Sequence, residues 1–141
     1  MKTRPTGMFI RLFQNKLSTA RSLQPGPPSA HLDSMGNLTT HVLDTASGNP
    51  AQGVRIRLYL GGELIKETTT NHDGRCDNPL TINPVPGEYE IVFSMGDYFR
   101  AQGVVSPFLN EIPVRFLIED GRSYHVPLAC SPFAYSTYRG S

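Results

Sequence analysis

The reactive groups of this chain are few: four histidines, some scattered arginines and a terminal Tyr138-Arg139-Gly140-Ser141. His41 lies in Leu38-Thr39-Thr40-His41-Val42-Leu43-Asp44, and His125 in Ser123-Tyr124-His125-Val126-Pro127-Leu128-Ala129-Cys130. Both stretches alternate with a period of two, as a strand with one buried face does. Leu38, Thr40 and Val42 share one side of the first, and Tyr124, Val126 and Leu128 one side of the second. Each histidine falls on the opposite side, hence on an outer sheet face. Leu43, Pro127 and Ala129 share those faces, and a partly apolar outer face bearing an imidazole is expected to be covered by another subunit. Two unrelated surface imidazoles remain the competing reading.

Arg75 ends the turn Asn71-His72-Asp73-Gly74-Arg75. It reads either as a solvated loop charge or as a planar donor fork for a carbonyl or an anion. Arg139 has the same two readings. Ser136 and Ser141 carry hydroxyls, but a terminal serine is poorly fixed, so water activated by an imidazole is the preferred chemistry. His31, in a proline-rich stretch, and His72, in a turn, receive no role. No histidine pair has metal-ligand spacing and the two cysteines are far apart, so a zinc site is not expected. No nucleophile elbow, phosphate loop or dinucleotide fingerprint is present.

These groups must be positioned by short strands. Val54, Ile56, Leu58 and Leu60 alternate with Arg55, Arg57 and Tyr59, and Gly61-Gly62 predicts a hairpin into a strand over 63–70. Residues 77–86, with three prolines, leave room for a very short strand. Pro86-Gly87 turns the chain into a strand over 88–94 with Tyr89, Ile91 and Phe93 inward. One helical turn is expected within 96–103, before Ser106-Pro107. Pro113 opens a strand over 114–119, Asp120-Gly121 is another turn, and 123–130 is the following strand. The last eleven residues hold three aromatic rings, Phe133, Tyr135 and Tyr138, where a chain end usually frays. That end is expected to dock as a final strand around 135–138, walling a ligand site or serving only as a sheet edge. Seven or eight short strands with almost no helix predict a β-sandwich of two packed antiparallel sheets.

At 141 residues the chain holds one domain with a real core. Residues 1–36 carry Lys2, Arg4, Arg11, Lys16 and Arg21 against Asp33 alone. With Gln24-Pro25-Gly26-Pro27-Pro28-Ser29 they read as a disordered basic extension, or as sequence ahead of a true start at Met35. The domain proper is expected over 37–141. It is mildly acidic once the extension is set aside, so no nucleic-acid partner is expected. No apolar run approaches a membrane span, so no membrane partner is expected either. Cys76 and Cys130 read as small buried apolar residues in preference to reactive thiols.

Taken together, Thr40-His41-Val42-Leu43-Asp44, Asp73-Gly74-Arg75, Tyr124-His125-Val126-Pro127-Leu128 and Tyr138-Arg139-Gly140-Ser141 resemble the 5-hydroxyisourate hydrolases, the transthyretin-related enzymes of urate breakdown. The likeness runs from about Leu38 to Ser141. Pro86-Gly87-Glu88-Tyr89 is shared by many prealbumin-like sandwiches and argues for fold only, whereas the two histidines, the arginine and the terminal tetrapeptide separate the hydrolase from transthyretin itself. Leu128-Ala129-Cys130 departs mildly, because the family usually has larger aliphatic residues there.

The resemblance implies an all-β, transthyretin/prealbumin-like two-sheet sandwich with one short helix. It implies a homotetramer with active sites at the dimer–dimer interface, a 5-hydroxyisourate substrate, and neither a metal nor an organic cofactor. His41 and His125 are expected to activate water and move protons. Arg75 is expected to hold the substrate and stabilise the oxyanion, Tyr138 to close the slot, and Ser141 to orient a histidine or the water. The expected compartment is the cytoplasm, with the peroxisome as the alternative for a eukaryotic source. The competing functions are a carrier of small aromatic ligands and a structural sandwich domain, neither of which needs both histidines.

Overall fold

The computed structural model describes residues 36–140. The expected basic extension up to residue 35, with His31, and the terminal Ser141 lie outside the described residues.

The stretch expected as one strand over 38–44 forms two segments, β1 (Asn37–Thr39) and β2 (Val42–Asp44). Leu38, Thr40, Val42 and Asp44 are buried, Thr39 and His41 half-buried, and Leu43 exposed, so the alternation holds through the break. The stretch 123–130 divides likewise into β9 (Tyr124–His125) and β10 (Leu128–Cys130), with Pro127, which has no N–H to give to a ladder, between them. Backbone bonds from Val126 N to the Thr39 carbonyl and from Leu128 N to the His41 carbonyl, both 2.9 Å, carry the pairing across the gap.

The central pairing is parallel. Leu38 and Thr39 register with Tyr124 and His125, and Val42, Leu43 and Asp44 with Leu128, Ala129 and Cys130. The expectation of purely antiparallel sheets is therefore corrected. A parallel pair needs a long crossover, and here the whole chain between β2 and β9 supplies it. β3 (Asn49–Pro50) and β6 (Thr81–Ile82) edge this layer on one side, and β11 (Tyr135–Thr137) edges it on the other.

The second layer is antiparallel, in the order β5-β4-β7-β8, from β4 (Arg55–Leu60), β5 (Glu63–Thr69), β7 (Gly87–Ser94) and β8 (Glu111–Ile118). Gly61 and Gly62 have φ of +58° and +87°, the double left-handed turn whose twist matches a tight hairpin. β8 starts at Glu111, earlier than expected, so Pro113 lies inside the strand instead of opening it. It is tolerated because β8 is an edge strand with one partner. The helix α1 (Met95–Ala101) follows β7.

Between the layers Leu38, Val42, Ile56, Leu58, Ile91 and Phe93 are fully buried. Each such side chain contributes about 1.5–3 kcal/mol relative to exposure. Leu128 and Cys130 are buried in the same core, so the smaller residues of that stretch still fill it. Burial, with the nearby Asp44 charge, pushes the Cys130 thiol up to about 11, which agrees with a packing role. Asp44 is itself buried and fully engaged. One carboxylate oxygen accepts the N–H groups of Ala46 (2.9 Å) and Ser47 (3.1 Å), and the other accepts the Tyr98 phenol (2.9 Å).

The two outer faces differ. That of the second layer is laced with the ion pairs Arg55–Glu67, Arg57–Glu111 and Arg115–Glu90, as a solvated surface is. That of the first layer carries Thr39, His41, Leu43, His125 and Ala129.

Candidate active site

The period of two along β1 and β2 sets Thr39 and His41 on the outer face, and the parallel register sets Thr39 beside His125. The turn after β5 brings in the arginine. The Asn71 side-chain oxygen accepts the N–H groups of Asp73 (2.9 Å) and Arg75 (3.2 Å), which folds the turn back on itself. Gly74 takes φ +75°, and its carbonyl accepts the Val42 N–H at 2.8 Å, docking the turn on β2. Arg75 then pairs with His41 as an isolated antiparallel bridge.

Each imidazole has one nitrogen engaged. His41 Nε2 lies 3.0 Å from the Asp73 carbonyl oxygen. A carbonyl only accepts, so Nε2 carries the proton and neutral His41 presents a bare Nδ1. His125 Nδ1 lies 2.9 Å from the Thr39 hydroxyl, and Nε2 has no hydrogen-bond partner among the described residues. Burial, then the Arg75 charge, then His41, hold the His125 imidazole below its ordinary value of 6.5. A half-buried, neutral ring beside a fixed cation is suited to taking a proton near neutral pH. Arg75 is exposed and pairs with no described carboxylate, so its fork is available to a ligand.

Thr39, Arg75 and His125 border an open cleft of about 460 Å³, lined also by Asn37, Ser123 and Tyr124, while His41 is not among its lining residues. That lining offers one guanidinium, one imidazole, and amide and hydroxyl groups as hydrogen-bonding partners for a ligand.

The tail docks as an edge strand. Leu128↔Thr137, Ala129↔Ser136 and Cys130↔Tyr135 define its register. The same register reaches the bridge His125↔Gly140, where the Gly140 N–H donates to the His125 carbonyl at 2.7 Å. The rings expected to be covered are open in the single chain: Phe133 is 71% exposed and Tyr138 65%. Tyr138 is not among the lining residues of the histidine cleft. It borders a neighbouring cleft of about 310 Å³ with Phe116, Tyr124 and Arg139. Arg139 stacks over the Tyr124 ring, 4.1 Å from its centroid, so it acts as an anchor of the tail.

Of the residues singled out in sequence, one chain thus gathers His41, Arg75 and His125 and leaves Tyr138 to the side. The sequence pattern singles out neither Thr39 nor the cleft-lining Asn37 and Ser123. Thr39 shares strand parity with His41, but its partner is set by a pairing across more than eighty residues, which no local pattern reveals.

A model of the HIUase/Transthyretin family matches residues 38–140. A 5-hydroxyisourate hydrolase of Pseudomonas aeruginosa is 53% identical over 117 residues, covering 76% of this chain and 93% of that protein. Among solved structures, the 5-hydroxyisourate hydrolase of Klebsiella pneumoniae superposes with a TM-score of 0.69 at 33% identity, covering 76% of this chain and all of the other. An (S)-allantoin synthase superposes with a TM-score of 0.72 at 42% identity over 78% of this chain, which spans only 45% of that longer protein.

Proposed function

The chain belongs to the HIUase/Transthyretin family, and from that membership we propose that it hydrolyses 5-hydroxyisourate to 2-oxo-4-hydroxy-4-carboxy-5-ureidoimidazoline in urate degradation. The observation that carries the reading is the convergence of His41, Arg75 and His125 on one outer face, His125 held neutral by its surroundings.

In this reading a histidine with a bare nitrogen removes a proton from water as its oxygen attacks the ring amide carbonyl. The carbonyl oxygen becomes an oxyanion held by the Arg75 fork. The tetrahedral species then collapses, the ring C–N bond breaks, and the proton passes to the departing nitrogen. A placed acid–base group contributes a factor of about a hundred to ten thousand. A single oxyanion donor is worth about a hundred to a thousand. The reaction as drawn uses no metal or organic cofactor.

The site is completed by assembly. The first layer's outer face presents Leu43 (38% exposed) among its histidines, and Tyr138 stands exposed to the side, in contrast to the ion-paired face of the second layer. A homotetramer that buries this face closes the open cleft, with Tyr138 shutting the slot and Ser141 orienting a histidine or the water. The catalytic unit spans 37–141. The setting is the cytoplasm, or the peroxisome of a eukaryotic source, which fractionation checks.

The test is the ultraviolet decay of freshly generated 5-hydroxyisourate with and without protein, run beside light scattering. Acceleration by a tetramer, lost in His41→Asn and in His125→Asn, is the expected result. Decay unchanged by protein, or both variants turning over like the wild type, would overturn the assignment. Binding without turnover would favour the carrier.

A further inference from the structure

His125 is gripped from two sides by residues without a role so far. On one side the Thr39 hydroxyl lies 2.9 Å from Nδ1, the ring's one hydrogen bond among the described residues. On the other the tail backbone lies against the ring. A Cβ built on Gly140 would sit 2.7 Å from His125 Cδ2 and 3.3 Å from its Cβ and Cγ. Gly140 is not among the glycines with positive φ, so space, not conformational freedom, demands a glycine. The bond from Gly140 N to the His125 carbonyl fixes the tail at that distance.

We propose that Thr39 and Gly140 are positioning residues that hold the His125 ring in one orientation and one tautomer, with Nδ1–H donated to the Thr39 hydroxyl and Nε2 bare toward the cleft. The inference rests on the hydrolase reading for its kinetic consequence, though not for its geometry. A hydroxyl can donate or accept, and the chemistry selects between the two. Were Thr39 to donate to Nδ1, neutral His125 would carry its proton on Nε2 and could take none from water. With Thr39 accepting, Nε2 is the base, and the same Nδ1–H bond persists in the imidazolium formed after proton transfer. The threonine therefore need not reorient during turnover. Gly140 blocks the alternative in which the ring swings off the threonine, because the tail backbone fills that space. Arg75 and His41 are the charged and titratable groups that bear on the ring; Arg139 is stacked over Tyr124.

The experiment has two independent arms. Nitrogen NMR of the wild-type protein above the titration of His125 reads its tautomer directly. The expected pattern is protonated Nδ1 and bare Nε2, and protonated Nε2 would overturn the proposal whatever the enzyme does. In the kinetic arm, Thr39→Val keeps the β-branched shape and removes the acceptor. It is expected to lower kcat roughly tenfold or more, with KM within about twofold, while Thr39→Ser stays within about threefold of wild type. Gly140→Ala is expected to lower kcat similarly with unchanged dichroism. Thr39→Val and Gly140→Ala with wild-type kcat and pH profile would refute the clamp. Should Thr39→Val fail to fold, Gly140→Ala and the NMR arm decide. A wild-type protein inert toward 5-hydroxyisourate would sink the hydrolase reading alone and leave the tautomer result standing.

Discussion

The carbonyl oxygen of Asp73 lies 3.0 Å from Nε2 of His41, so a turn residue 32 positions further along the chain dictates which nitrogen of that histidine is bare. The same turn delivers Arg75. Geometry at its tip should therefore govern both groups at once.

Gly74 is the point at which to test this. It adopts φ +75°, and a methyl there would run into the Val42 carbonyl oxygen. Gly74→Ala is expected to destabilise the fold by at least about 1–2 kcal/mol, because a left-handed backbone and a steric clash add. Turnover should fall in the molecules that remain folded, since His41 and Arg75 move together. Denaturant melts and steady-state rates on the same preparation check both effects.

The pH dependence follows from His125. Its folded value lies below 6.5 owing to burial, then Arg75, then His41, so the neutral base persists below the ordinary histidine range. The acid limb of kcat/KM is expected below pH 6.5. Arg75→Gln removes one opposing charge and should shift the His125 titration upward in an NMR titration; a downward or absent shift would contradict the assigned cause. The stability sign is also set. The unfolded chain takes up this proton first as pH falls, so the contribution of neutral His125 is complete above the unfolded value and is lost as pH falls through it toward the folded one.

Away from the cleft, the phenol of Tyr98 on α1 donates to Asp44 at 2.9 Å. Burial, with the Asp44 bond and charge, pushes that phenol up to about 12. Tyr98→Phe leaves a buried carboxylate oxygen without its donor and is expected to cost about 1.5–3 kcal/mol. Asp44 retains the Ala46 and Ser47 N–H groups, so the fold should survive and turnover change little. Equilibrium urea denaturation measures the loss.

Removing residues 138–141 deletes the segment that crosses His125 and leaves β11 paired to β10 through Thr137. A folded β protein with turnover reduced by at least about a hundredfold is the expected outcome. Circular dichroism with the 5-hydroxyisourate decay assay checks it, and a fully active truncation would remove the tail from the mechanism.

Much of this site was legible in residue order because the pleat has a period of two. His41 and His125 could be set on outer faces from Leu38, Val42, Tyr124 and Leu128 alone. The hairpin at Gly61-Gly62 and the turn delivering Arg75 were equally readable, since turn chemistry is local. The family likeness pointed to His41, Arg75 and His125 together with Tyr138 and Ser141. Parity, however, says which side a residue faces and nothing about its neighbour. That Thr39 meets His125, that β1 and β9 run parallel, that Pro113 lies within an edge strand, and that Gly140 leaves room for an imidazole all depend on register between distant segments. Register is decided when two layers bury their apolar faces together. The sequence by itself therefore determined the chemical groups and the face each would occupy, while tertiary structure alone decided their contacts, because those contacts are made by residues that only packing brings within reach.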